Sequence, residues 1–157
     1  MDYEEFEKNV EKERERNDKL IKEFKDYMKK AGLSDKTIGR HTNNIDFYIN
    51  HCLLYEDIEI AESGIYKIDY FLGYWFIKKA MWSSVNTVKE NITSIKKFYL
   101  FMYESGYDIT LKDIKELNEE IKENKKIWLN KIDRYNNDMS YSLYDDFGNE
   151  FDDGLDD

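Results

Sequence analysis

KIDYFLGYWFIKKAMWSSVNTVKENITSIKKFYLFMYESG, residues 67–106, holds the densest apolar content and the clearest periodicity in the chain. Ile68, Tyr70, Phe71, Leu72, Tyr74, Trp75, Phe76 and Ile77 leave almost no polar side, which predicts a central helix over residues 67–81. Trp82-Ser83-Ser84 interrupts it, and Ser84 is suited to cap a new helix. Val85, Val88, Ile92, Ile95, Tyr99 and Met102 then recur in steps of three and four until Gly106, the spacing of a helix packed along a partner. Two helices joined at a polar hinge are therefore expected here.

Outward from this pair, the chain continues to read as helix. Upstream, Phe6, Val10, Leu20, Ile21, Phe24, Tyr27 and Met28 recur between charges over residues 3–31, with the highly charged run EKERERND at 11–18. Residues 1–18 read as a charged helical extension. Gly32 suits a left-handed C-terminal cap, Ser34 an N-cap, and Asp35 the positive end of the next helix dipole. Helix two, residues 35–55, would bury Ile38, Ile45, Tyr48, Ile49, Cys52 and Leu53 and leave Lys36, Thr37, Arg40, Asn43 and Asn44 near its outer face. Residues 56–64 read as an acidic loop tacked to the bundle by Ile58 and Ile60.

Downstream, Thr110 and Asp113 form a capping-box-like pair that opens helix five, expected to end near Tyr135. Its narrow stripe of Leu111, Ile114, Leu117, Ile121, Trp128, Ile132 and Tyr135 suits latching onto the bundle or onto a second copy. Residues 137–157 carry eight acids and no base and read as an acidic, disordered tail. No strand pattern interrupts these elements, so the fold class is all-α. The boundaries are 1–18, the bundle 19–107, a further helix 108–136, and the tail 137–157.

The 157 residues suffice for a single helical core. Charged residues make up 37%, against an average of about 25%, which fits long solvated helical faces; the absence of proline leaves the helices uninterrupted. The net charge of −10 is unevenly placed: residues 1–18 are net −4, 19–107 net +2, 108–136 neutral and 137–157 net −8. The folded body is thus mildly basic between acidic ends, a distribution that the total conceals.

Cys52 stands alone, which excludes an intramolecular disulfide and fits a reducing compartment. No apolar run approaches membrane length and the N-terminus is acidic, so a soluble, cytoplasmic protein without membrane partners is expected. His41 and His51 lie ten apart, too far for a metal pair one helical turn apart, and no metal or cofactor is expected. No nucleophile–base arrangement and no phosphate-loop glycine spacing appears, so no catalytic residue is assigned and no enzyme is expected. Of the tryptophans, Trp75 reads as core and Trp82 as a surface contact.

Residues 20–107 resemble the core-binding domain of tyrosine recombinases and phage integrases. The resemblance lies in FKDYMKKAGLSDKTI (24–38), IDYFL (68–72) and SVNTVKENITSIKKFYLFMYESG (84–106), in that order and at matching spacing. It implies a four-helix SAM-like bundle, here with an N-terminal helical extension and an additional C-terminal helix. It also implies that helices two and four face duplex DNA, through Lys36, Thr37, Arg40 and Asn44 on the first and Ser84, Asn86, Thr87 and Lys89 on the second. Recombinase catalysis in this family uses arginine, lysine, histidine and tyrosine on a second domain. The 51 residues after Gly106 contain one arginine and no histidine, so a stand-alone module without the catalytic domain is expected.

Two functions follow as expectations. The first is a non-catalytic DNA-binding accessory protein from a recombination or mobile-element context, its polar helix openings meeting phosphates. The second is an interaction module that modulates a recombinase or self-associates through helix five and the acidic tail.

Overall fold

In the computed structural model the backbone of residues 1–151 and the side chains of residues 1–138 are described, and among them every regular element is a helix. α1 (Tyr3–Lys30) is one unbroken helix, its start capped by Asp2, which accepts from the Glu5 amide at 2.8 Å. Glu4 and Glu5 in its first turn and Lys29 and Lys30 in its last complement the helix dipole, so the charged run at 11–18 continues the helix. Gly32 (φ +87°) turns the chain into α2, residues 35–52. Ser34 caps α2 as its sequence predicts, accepting from the Thr37 amide at 3.3 Å.

α2 changes hydrogen-bond pattern along its length, from α-helical over Asp35–Asp46 to π-helical over Phe47–Cys52. The Leu53 amide reaches back to the Tyr48 carbonyl (3.0 Å), so the Ile49 carbonyl loses the partner an α-helix would supply. Asn17 of α1 fills the vacancy: its Nδ2 donates to the Ile49 oxygen at 3.2 Å and to Asn50 Oδ1 at 2.9 Å. Asn17 is itself fully buried, a polar residue on the core side of α1 whose task is to satisfy the π-turn.

After α2 the isoleucines expected to tack down the acidic loop do not do so: Ile60 is 42% exposed and Ile58 only half-buried. Ala61 and Ile65 are the anchors instead, within a 3-10 turn (Ala61–Tyr66) that the core receives through its backbone. Tyr48 of α2 donates to the Gly64 carbonyl at 2.5 Å, and Tyr99 donates to the Ala61 carbonyl at 2.8 Å. The turn approaches so closely that a Cβ on Gly64 would lie 2.8 Å from Leu53 Cδ1 and overlap the Tyr99 hydroxyl.

α3, residues 68–79, also contains a π segment, Phe71–Trp75, between the α-helical pieces Ile68–Tyr70 and Phe76–Lys79. It is central, as expected, but not apolar all round: Ile68, Phe71, Leu72, Trp75, Phe76 and Ile77 are buried while Tyr70 and Tyr74 are exposed beside Lys78. Their hydroxyls suit the rim of a helix whose other sides are packed. α4 (Val85–Glu104) starts at a reciprocal Ser84–Thr87 capping box and ends at Gly106 (φ +84°). Its buried stripe meets α1 through Phe24, whose ring stands edge-on to Phe98 at 5.3 Å.

α5 (Leu111–Phe151) opens with the expected Thr110–Asp113 reciprocal cap and runs well past Tyr135, with no proline to stop it. Of the tail expected at 137–157, residues through 151 thus belong to a helix, and residues 152–157 lie outside those described. The stripe of α5 is spent on this bundle rather than left for a second copy: Leu117, Ile121, Trp128 and Ile132 are all buried. Trp128 donates to Asp69 Oδ1 at 2.7 Å and lies so close to Gly73 that a Cβ there would be 3.0 Å from its ring. Farther along, Asn136 donates to the Ser83 carbonyl at 3.1 Å, fastening α5 to the hinge before α4.

Two substitutions test this packing. Gly64→Ala overpacks the turn beneath Tyr99 and should lower stability by about 1–3 kcal/mol, read as a lower urea midpoint at unchanged slope. Asn17→Ala leaves the Ile49 carbonyl buried without a donor and should cost about 1–3 kcal/mol, whereas the same change at exposed Glu11 should be close to neutral in the same assay.

Candidate nucleic-acid interface

α2 and α4 meet along a polar seam. Ser94 is its centre: Nδ1 of His41 lies 2.7 Å from Ser94 Oγ, and Asn44 Nδ2 donates to the same oxygen at 3.0 Å. Ser94 donates its one proton to the Glu90 carbonyl at 3.0 Å, so the His41 tautomer that completes the set carries its hydrogen on Nδ1. Every polar atom at this crossing then has a partner, which is why a serine and a histidine are tolerated on otherwise apolar helix faces.

The eight residues expected to face DNA fall into three groups. Lys36, Arg40, Asn86 and Lys89 are exposed, and the contact of Arg40 with Glu90 across the seam (4.0 Å) joins the two outer clusters. Asn44 turns inward to Ser94, and its amide belongs to the seam. Thr37, Ser84 and Thr87 are half-buried and occupied by caps: the Ser84 amide donates to Thr87 Oγ1 at 2.8 Å while the Thr87 amide donates to Ser84 Oγ at 3.2 Å. Those caps leave the amides of Asp35, Lys36, Val85 and Asn86 as the unspent donors of the two helix openings.

Electrostatics add a second observation. His41 is held below its ordinary pKa of 6.5 by burial first, then by the positive fields of Lys97 and Arg40. An imidazole that resists a proton partly because cations surround it reports a locally positive face in a chain of net −10. Sequence reasoning had set His41 aside as an ordinary histidine. Its position three residues from both Ile38 and Asn44, facing a serine on the buried side of α4, is the signal that assigns it to the seam.

Elsewhere chemistry is muted. The Cys52 thiol is pushed up to about 12 by burial, which removes it as a nucleophile at neutral pH. Among the described residues no cluster of three or more histidines, cysteines or acids could hold a metal ion, and no helix is long and apolar enough to cross a membrane. Trp75 is 4% exposed, as its place in the core predicts, and Trp82 is 58% exposed, leaning edge-on against Phe47 at 5.1 Å. The chain matches no protein-family model, none of the curated proteins and none of the solved structures.

The His41 environment has a pH signature. Below 6.5 the unfolded chain takes up a proton that the native imidazole refuses until its own lower pKa is reached. Its contribution is therefore complete above 6.5 and is lost as pH falls through the window beneath that value. Nuclear magnetic resonance titration of the His41 ring should give a midpoint below 6.5, and His41→Gln should flatten the fall in stability across that window.

Proposed function

We propose that this protein is a non-catalytic DNA-binding accessory module that meets the duplex backbone with the outer faces of α2 and α4, in the manner of the core-binding half of a tyrosine recombinase. The observation that carries the reading is the linkage of Lys36, Arg40, Asn86 and Lys89 into one exposed face across the His41–Ser94 seam. Two helix openings with unspent amides beside these cations are suited to phosphate oxygens. The order and spacing of the three recombinase-like segments support the same assignment, and they place it in DNA recombination or a mobile element.

The chemistry of the face sets the strength and kind of binding. Three cations, one of them shared with Glu90, give little sequence information and modest affinity, so contacts are to backbone rather than base edges. Binding should fall in the non-specific range, with Kd on the order of 10⁻⁴–10⁻⁶ M at physiological salt. The acidic stretch beyond Asn136 opposes it through like-charge repulsion with phosphate.

Fluorescence anisotropy with a labelled duplex, titrated at several salt concentrations, tests the proposal. The slope of log K against log salt should shrink by about 1 for each of Lys36→Ala, Arg40→Ala and Lys89→Ala. No binding at low salt, in the whole chain and in a variant ending at Asn136, would refute it.

A further inference from the structure

A cleft of about 360 Å³ lies among α1, the end of α2 and α3, lined by residues other than the eight assigned to the duplex. Both π-helical segments converge on it: Phe47, Asn50 and His51 come from the first and Trp75 from the second. π-Turns have poorer hydrogen-bond geometry than α-helix and occur frequently at functional sites. Two of them contributing to one cleft is an arrangement that core packing alone does not require.

The lining has a distinct chemistry. Trp75 is 4% exposed, yet its indole Nε1 has no hydrogen-bond partner among the described residues, a buried donor left open beside the cleft. Trp128 shows the contrast, since its Nε1 is met by Asp69. Arg14 and Lys79 also line the cleft, from α1 and α3, and neither forms an ion pair among the described residues. No carboxylate lines it, although acids outnumber bases in the chain by 34 to 24. Lys79 sits 4.7 Å above the Tyr55 ring and donates to its hydroxyl at 3.0 Å, so cation and aromatic ring are presented together.

Each feature narrows the occupant. An apolar guest would leave Arg14, Lys79 and the Trp75 N–H unused. A bare anion would leave the rings of Phe47 and Tyr55 unused, and Trp82 beside Phe47 extends that aromatic surface into solvent. Cations arriving from two helices, with His51 from a third, match an anion with several acceptor oxygens better than a planar carboxylate does. We propose that this cleft binds a nucleotide unit, an aromatic base with its phosphate, supplied as a free mononucleotide or as one residue of a single strand. The base stacks on the ring lining, the phosphate meets Arg14 and Lys79, and an acceptor on the ligand takes the Trp75 N–H.

Adenosine monophosphate, adenosine, inorganic phosphate and a single-stranded deoxyoligonucleotide of about ten nucleotides are titrated into the whole protein, following the indole N–H resonances of Trp75, Trp82 and Trp128. With the monophosphate the Trp75 signal, assigned by its loss in Trp75→Phe, should shift saturably while Trp128 stays in place. Adenosine and phosphate should each bind about tenfold more weakly, and Arg14→Gln and Lys79→Gln should each weaken the monophosphate about tenfold. An oligonucleotide that binds well above the monophosphate, with the same dependence on Arg14 and Lys79, identifies a strand as the source; equal affinity identifies the free nucleotide. Phosphate binding as well as the monophosphate, or indifference to both charge substitutions, overturns the proposal. Neither variant touches Lys36, Arg40 or Lys89, so the duplex reading is tested separately.

Discussion

The bundle depends on how a short non-helical stretch is admitted to its core. The 3-10 turn at Ala61–Tyr66 has backbone carbonyls at Ala61 and Gly64 that water cannot reach, and an apolar core offers them nothing. Tyr99 and Tyr48 supply the missing donors from α4 and α2, and both hydroxyls are pushed well above their ordinary pKa by burial, so they remain protonated donors. The turn in turn delivers the chain to α3 at the height where Phe71 stacks on Tyr48, ring centres 4.5 Å apart. α3 then offers Asp69 and Gly73 to Trp128, which brings α5 in. Each later contact presupposes the earlier one.

Much of this could be read in the sequence where the rule is local. The caps at Ser34, Ser84 and Thr110, the left-handed glycines 32 and 106, and the apolar stripes of α1, α2 and α4 follow from side-chain chemistry within a turn or two. What escaped depends on partners distant in the chain. Ile58 and Ile60 were the natural anchors by hydropathy, but the carbonyls of Ala61 and Gly64 decided the matter, and hydropathy carries no term for a backbone acceptor. Asn17, in a charged run, gave no hint that it serves a π-turn thirty-odd residues away. The two π-turns were themselves invisible, because aromatic runs such as FLGYW satisfy an α-helical reading equally well.

The same division separates the candidate sites. Lys36, Arg40, Asn86 and Lys89 were legible because exposed polar residues at a helix opening advertise themselves by position. Asn44 looked equivalent by spacing, and only the crossing of the helices at Ser94 turned it inward. The aromatic cleft was not legible at all. Its members come from three separate helices, and Trp75 read rightly as core while concealing that its N–H is unanswered there.

The π-turn in α2 also bears on how this protein tolerates change in length. A π-turn is an α-helix holding one residue too many, and removing any one of residues 47–52 would restore the regular ladder. Everything after the deletion would then rotate by about 100° about the helix axis. Cys52, Leu53 and Leu54 would swing away from the core, and Asn17 would face a carbonyl already engaged. A single lost codon in this stretch would thus do more damage than most substitutions there, while the exposed, acidic residues 55–57 just beyond can shorten at much lower cost.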